Sequence, residues 1–127
     1  MRTLAIRGAT TVEKNEKTCI LNETKILIKK IIDMNNLNED DIVSIIFTMT
    51  RDLDEVYPSV AVRELLNLND IPLLNFEEKY IKNSLNKCIR VLMHVNTDIK
   101  KNKIIHIYLN EAKKLRTDLS IRSGSNE

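Results

Sequence analysis

Apolar and polar positions alternate with a period of two along residues 87–95, Lys-Cys-Ile-Arg-Val-Leu-Met-His-Val. Successive side chains of a strand point to opposite faces. Ile89, Val91, Met93 and Val95 therefore share one wholly apolar face, while Cys88, Arg90, Leu92 and His94 share the other. Such a strand packs its oily face on a core. The pattern predicts further strands over 3–11, 42–50, 71–76 and 104–109, with Pro72 making the third of these an edge strand or a strand start. Spacings of three and four residues predict an amphipathic helix over 16–35, capped by Asn15. Its inward positions are Ile20, Thr24, Leu27, Ile31 and Met34, and Lys25, Lys29 and Lys30 fall on a solvated side. Pro58 suits the first turn of a short helix to Leu66, with Ala61, Val62, Leu65 and Leu66 inward. Arg63, beside Glu64, reads there as a surface residue. Glu78 lies in a polar connection over 77–86. Asn110 caps a short helix through Leu115, and a mobile tail begins at about 116. The expectation is one α+β domain over 1–127, a mixed sheet of about five strands with helices on one face.

Composition narrows the function classes. An apolar fraction of 43% supports a real core. With 20 basic and 18 acidic residues, the net charge of +2 gives no bulk electrostatic case for nucleic acid or an anionic membrane. Tryptophan is absent and aromatics are few, so a base-stacking surface is poorly supplied. No apolar run is long enough to span a bilayer, and no apolar segment follows Arg2 as in a signal peptide. Cys19 and Cys88 belong to no metal-ligand spacing; they read as reduced, buried thiols of a cytoplasmic protein.

The candidate chemistry centres on Arg90. A guanidinium flanked by Cys88 and Leu92 on one strand face keeps its charge and needs an anion. Arg7 and Tyr108 fall on comparable strand faces. Gly8 marks a bulge or a close approach by a ligand or another backbone, or simply the end of the first strand. A sheet whose second face is neither plainly charged nor plainly solvated points to a pocket or a subunit interface, hence an oligomer. No nucleophile–base motif, metal motif or phosphate loop is present, and His94 and His106 read as structural. Two strand arginines, a tyrosine and the loop carboxylate of Glu78 can clamp a carboxylate-bearing ligand and stabilise charge without covalent catalysis.

Several ordered blocks carry a resemblance that runs nearly end to end. They are Ile6-Arg7-Gly8-Ala9-Thr10-Thr11-Val12-Glu13, Tyr57-Pro58, Ala61-Val62-Arg63-Glu64-Leu65, Lys87-Cys88-Ile89-Arg90-Val91, His106-Ile107-Tyr108-Leu109 and Leu115-Arg116-Thr117-Asp118-Leu119-Ser120. Together they resemble the AroH-class monofunctional chorismate mutases. The resemblance implies a trimeric pseudo-α/β-barrel with active sites between subunits, no cofactor and no metal, and conversion of chorismate to prephenate on the route to phenylalanine and tyrosine. Carried over by position, it implies that Arg90 holds the ether oxygen of the breaking bond and that Arg7 and Tyr108 bind the side-chain carboxylate. Glu78 would accept from the ring hydroxyl, helped by backbone near Leu74 and Asn75. Tyr57 would stand against the ring where the family usually has Phe. Arg63, Leu115 and Arg116 would close the mouth. Arg7, Arg90 and Tyr108 would come from one subunit and the 57–78 segment from its neighbour.

Besides Tyr57, three positions depart from the pattern. Asn75 stands where the family often has Cys, Val60 where a Lys is familiar, and Thr117 where the tail has a proline. Three other readings compete. A trimeric enamine or imine deaminase has a similar fold and a carboxylate-binding arginine, but lacks this set of blocks. A non-enzymatic trimeric binder of a carboxylate metabolite would use the same residues. RNA binding through 100–116 is opposed by the apolar interruptions and by Glu111.

Overall fold

A computed structural model describes residues 1–115. The tail expected from about 116, with Arg116 in it, lies outside the described residues. Five strands form one mixed sheet: β1 (Arg2–Thr11), β2 (Ile42–Met49), β3 (Leu73–Glu77), β4 (Cys88–Thr97) and β5 (Ile107–Tyr108), in the order β3-β2-β4-β1-β5. β4 is central and antiparallel to both β1 and β2, while the outer pairs β2–β3 and β1–β5 are parallel. β3 begins just after Pro72 and forms one edge, so both readings of that proline hold.

One long helix, α1 (Lys17–Met34), covers one face of the sheet. Ile89, Met93 and Val95 of β4 are fully buried beneath it together with Ile6, Ile45 and Phe47, and Val91 is nearly so. Each such side chain contributes about 1.5–3 kcal/mol by leaving water. Ile20, Thr24, Leu27 and Ile31 face inward as their spacing predicts, and Ile28 joins them. Met34, at the last turn, is instead exposed.

Gly8 lies within β1, two hydrogen-bonded partners wide, and does not end it. The approach it permits is that of α1: a Cβ on Gly8 would sit 2.8 Å from Ile31 Cδ1 and 3.2 Å from Leu27 Cδ1.

Several local expectations change. Asn15 does not cap α1; Glu16 holds that position without a side-chain bond, and Asn15 instead exchanges two hydrogen bonds with Asp54. The short helix after Pro58 is reduced to a π turn, Ala61–Leu65, closed by Leu66 N–H on Ala61 C=O. That wider turn buries Ala61 and Val62 but leaves Leu65 exposed. The last strand keeps only two residues, because side chains take the backbone bonds that a ladder would use. Asn35 accepts the Ile105 N–H and donates to its C=O, both at 2.9 Å. The Arg7 N–H donates to His106 Nδ1 at 3.0 Å. Asn110 has a φ of 54° and caps nothing; its amide donates to Thr10, Thr11 and Glu23 ahead of a 3₁₀ turn, Asn110–Lys114. Both cysteines are free thiols, Cys88 buried and Cys19 partly exposed rather than buried.

Candidate active site

The sheet face opposite α1 carries the chemistry. Register places Phe76, Thr48, Arg90, Ala9 and Tyr108 in one row across β3, β2, β4, β1 and β5. Arg7 is one step along β1 on the same face, diagonal to Arg90, a separation of about 7–8 Å in an antiparallel pair. Glu78 follows β3 directly, its N–H bonded to Met49 C=O at 2.8 Å. That bond continues the β3 ladder and turns the Glu78 side chain toward Arg90.

Arg90 Nε lies 3.0 Å from Glu78 Oε2, with the two side chains 30% and 20% exposed. The anion that Arg90 requires is therefore supplied, in part, by its own chain. Thr48 Oγ1 donates to the same Glu78 oxygen at 2.5 Å. Glu78 Oε2 is thus held from two sides, and Oε1 has no hydrogen bond among the described residues. Arg7 is half-buried and its guanidinium has no ion pair among the described residues. One arginine is fixed by a carboxylate and the next remains available to an anionic ligand.

Cys88 sits beside Arg90 on this face and is fully buried. Burial pushes its thiol from an ordinary 9.0 up to about 11, against the opposing pull of the Arg90 charge. It is a neutral thiol at physiological pH and no nucleophile. Tyr108 is buried in a small cluster with Ala9 and Ala112, against which Leu115 and Leu85 pack. Leu115 therefore lies against the cluster that holds Tyr108. Next to Glu78 opens a cleft of about 240 Å³ lined by residues 50–52, 78–80 and 84–86. Arg51 stacks over the Tyr80 ring at 3.9 Å on its wall.

Tyr57, Arg63, Leu74 and Asn75 lie apart from this group, toward the β3 edge. Tyr57 and Leu74 are 65% and 57% exposed, and Arg63 is exposed. Asn75 alternates with Leu74, so its side chain falls on the α1 side of the sheet. There it accepts the Ser59 N–H at 3.2 Å and donates to Ser59 Oγ at 2.8 Å. The side chain is therefore turned from the Arg90 face and ties the 57–63 segment to β3. Its backbone differs from that of Leu74. Ile45 N–H bonds to Pro72 C=O and Glu78 N–H to Met49 C=O. The alternation of a parallel ladder then leaves the polar groups of Leu73, Asn75 and Glu77 on the open edge. Within the chain Glu78 groups with Arg90 and not with this second group, whereas the sequence blocks imply that it comes with the rest of the 57–78 segment.

Thr48 was not foreseen among the site residues. Its signal is a hydroxyl in an apolar strand, alternating with the buried Phe47 and so sharing a face with Ile46. Its partner across the sheet cannot be found without the β2–β4 register.

Comparison with known proteins shows the family. The family model of chorismate mutase type I matches residues 3–119. The chain is 42% identical over 120 residues to chorismate mutase AroH of Bacillus subtilis, covering 94% of each chain. It is 37% identical over 115 residues to chorismate mutase AroH of Thermus thermophilus, covering 90% of this chain and 93% of the relative. The solved structure of a chorismate mutase from Clostridium thermocellum superposes with a TM-score of 0.86 at 50% identity, over 88% of this chain and 99% of that one. A match along nearly the whole sequence, with the same fold, places the chain in the chorismate mutase type I family.

Proposed function

We propose that this chain converts chorismate to prephenate by Claisen rearrangement, as a single-domain subunit of a homotrimer with its active sites between subunits. The ether C–O bond breaks as a C–C bond forms within one molecule. No proton, electron pair or leaving group is exchanged with the protein, so no cofactor is called for. What lowers the barrier is a folded-over substrate and a fixed cation where the ether oxygen gains negative charge. Arg90 supplies that cation, and its pairing with Glu78 Oε2 at 3.0 Å is the observation that carries the reading. The pair holds the guanidinium before substrate arrives, so little reorganisation is needed in the transition state.

Arg7 and Tyr108 bind the side-chain carboxylate, and Glu78 Oε1 accepts from the ring hydroxyl. The neighbouring subunit brings Tyr57 against the ring, Arg63 to the entrance and the open backbone edge near Leu74 and Asn75. Leu115 and Arg116 close the mouth. The trimer accounts for the sheet face that α1 leaves bare, where Ile46 and Leu92 are half-buried and Leu74 and Phe76 stand half-exposed. We place the enzyme in the cytoplasm, supplying phenylalanine and tyrosine synthesis; among the described residues no helix is long and apolar enough to cross a membrane.

The test is the fall of chorismate absorbance with purified protein, prephenate being identified as product, beside sedimentation of the same sample. Fast conversion by a trimer supports the reading. A folded trimer that leaves chorismate unchanged would overturn it in favour of a carboxylate binder.

A further inference from the structure

We infer that Asp52 is a positioning residue for Arg90 and Glu78: it clamps the joint between the end of β2 and the start of β4. The inference rests on the assignment of the Arg90 face as the reaction site. Asp52 makes no hydrogen bond or ion pair with either residue among the described ones. It acts one step back. Both its oxygens accept the Lys87 N–H, at 3.1 and 2.9 Å. Oδ1 also accepts the Thr50 hydroxyl at 2.5 Å, and Thr50 Oγ1 in turn accepts the Cys88 N–H at 2.9 Å. The Thr50 N–H closes the joint on Cys88 C=O at 3.0 Å. Two successive N–H groups leading into β4 thus depend on one carboxylate, directly or through one hydroxyl.

The backbone there needs holding. Lys87 has a φ of 47°, in the left-handed region that a side chain disfavours. Its C=O accepts the Val12 N–H at 2.8 Å, so the same residue ties the end of β1 to the start of β4. Arg90 follows three residues on. Glu78 hangs from the other side of the joint, its N–H on Met49, the residue before Thr50. The Asp52 clamp therefore fixes the strand end that carries Glu78 relative to the strand start that carries Arg90. A carboxylate is suited to this because it accepts several N–H and O–H groups at once, whereas an amide oxygen accepts fewer and brings its own donor. A displacement near 1 Å at a reacting group is enough to cost about 100-fold in rate.

Asp52→Asn keeps the size and changes the acceptor. We expect kcat to fall about 10–100-fold with KM changed less than about twofold, at a temperature well below the variant's unfolding. A merely structural role would lower the unfolding temperature and leave kcat of the folded protein intact. Lys87→Gly in the Asp52→Asn background should recover part of kcat, because glycine takes the left-handed conformation freely. The ¹⁵N–¹H resonance of Arg90 Nε supplies a readout independent of turnover, and it should shift in Asp52→Asn. If that variant does not fold, Thr50→Val severs the link to Cys88 and is read the same way. Wild-type kcat together with an unmoved Arg90 resonance overturns the inference. Absence of turnover in the wild-type protein overturns the functional reading instead, and the resonance then decides the role of Asp52 alone.

Discussion

Arg90 and Glu78 meet within one chain, Nε to Oε2 at 3.0 Å, although they lie twelve positions apart in sequence across a polar loop. The pairing answers what a half-buried guanidinium on a sheet face is for. It is neutralised enough to be tolerated and remains partly exposed, so a further anionic oxygen can still reach it. Arg90→Lys preserves the charge but removes the planar fork. Turnover should fall by at least about 10²–10³-fold, the usual cost of losing a donor at a charge-developing atom. Circular dichroism and sedimentation should be unchanged, and the chorismate absorbance assay reads the loss. Near-normal kcat in this variant would remove Arg90 from its assigned role.

Thr48→Val tests how Glu78 is aimed. The substitution preserves shape and deletes the hydroxyl that donates to Glu78 Oε2. One hydrogen bond to a charged group contributes about 1.5–3 kcal/mol, so kcat/KM should fall about 10-fold or more. The fold should tolerate valine well on a strand. An unchanged kcat/KM would show that Arg90 alone orients the carboxylate.

Asn75→Ala probes the second half of the site. It deletes both bonds to Ser59 and releases the segment carrying Tyr57 and Arg63 from β3. Each neutral bond contributes about 1 kcal/mol, so KM should rise several-fold while kcat changes little. Steady-state kinetics separate the two. A fall in kcat alone would mean that Asn75 acts on the transition state.

The strands were legible because one-faced alternation is a local property: β4 and α1 follow from side-chain period alone, whereas Pro72 allows β3 to be either an edge strand or a strand start. Arg7, Glu78, Arg90 and Tyr108 stood out by residue type and strand face, but their individual roles and the other site residues came only through family resemblance, since the residues that build the site are joined by register. Glu78 reaches Arg90 because β2 runs between β3 and β4, a fact no window of sequence contains. The short β5 was misjudged for a related reason. Residues 104–106 have a strand's pattern, but Asn35 and His106 satisfy the backbone from 70 and 99 residues away in sequence.

Gly8→Ala should destabilise the protein through the contact between β1 and α1. The new Cβ would press on the fully buried Ile31 and Leu27 side chains and lie 3.4 Å from Ile107 C=O. Overpacking costs about 1–3 kcal/mol, offset by about 0.4–1 kcal/mol from the stiffer unfolded chain. A net loss of about 1 kcal/mol is expected in urea unfolding. An equal or greater stability would show that Ile31 has room to turn aside.

Cys88 makes stability depend on alkaline pH. Burial raises its thiol from 9.0 to about 11, so the folded state holds the proton more tightly than the unfolded chain. Below pH 9 the thiol is protonated in both states and the full contribution is present. As pH rises from 9 to 11 the unfolded chain ionises first, and the contribution is lost by the time the folded thiol ionises too. At 1.36 kcal/mol per pKa unit, the whole effect is at most about 2–3 kcal/mol. Lysines and tyrosines titrate in the same range, so the comparison must be with Cys88→Ala, which keeps every other group. The alanine cavity lowers stability at all pH values, but it removes this titration. The stability gap between wild type and Cys88→Ala in urea should therefore narrow by about 1 kcal/mol per pH unit above pH 9. Parallel curves through pH 10 would mean that the Arg90 charge cancels the burial of the thiol.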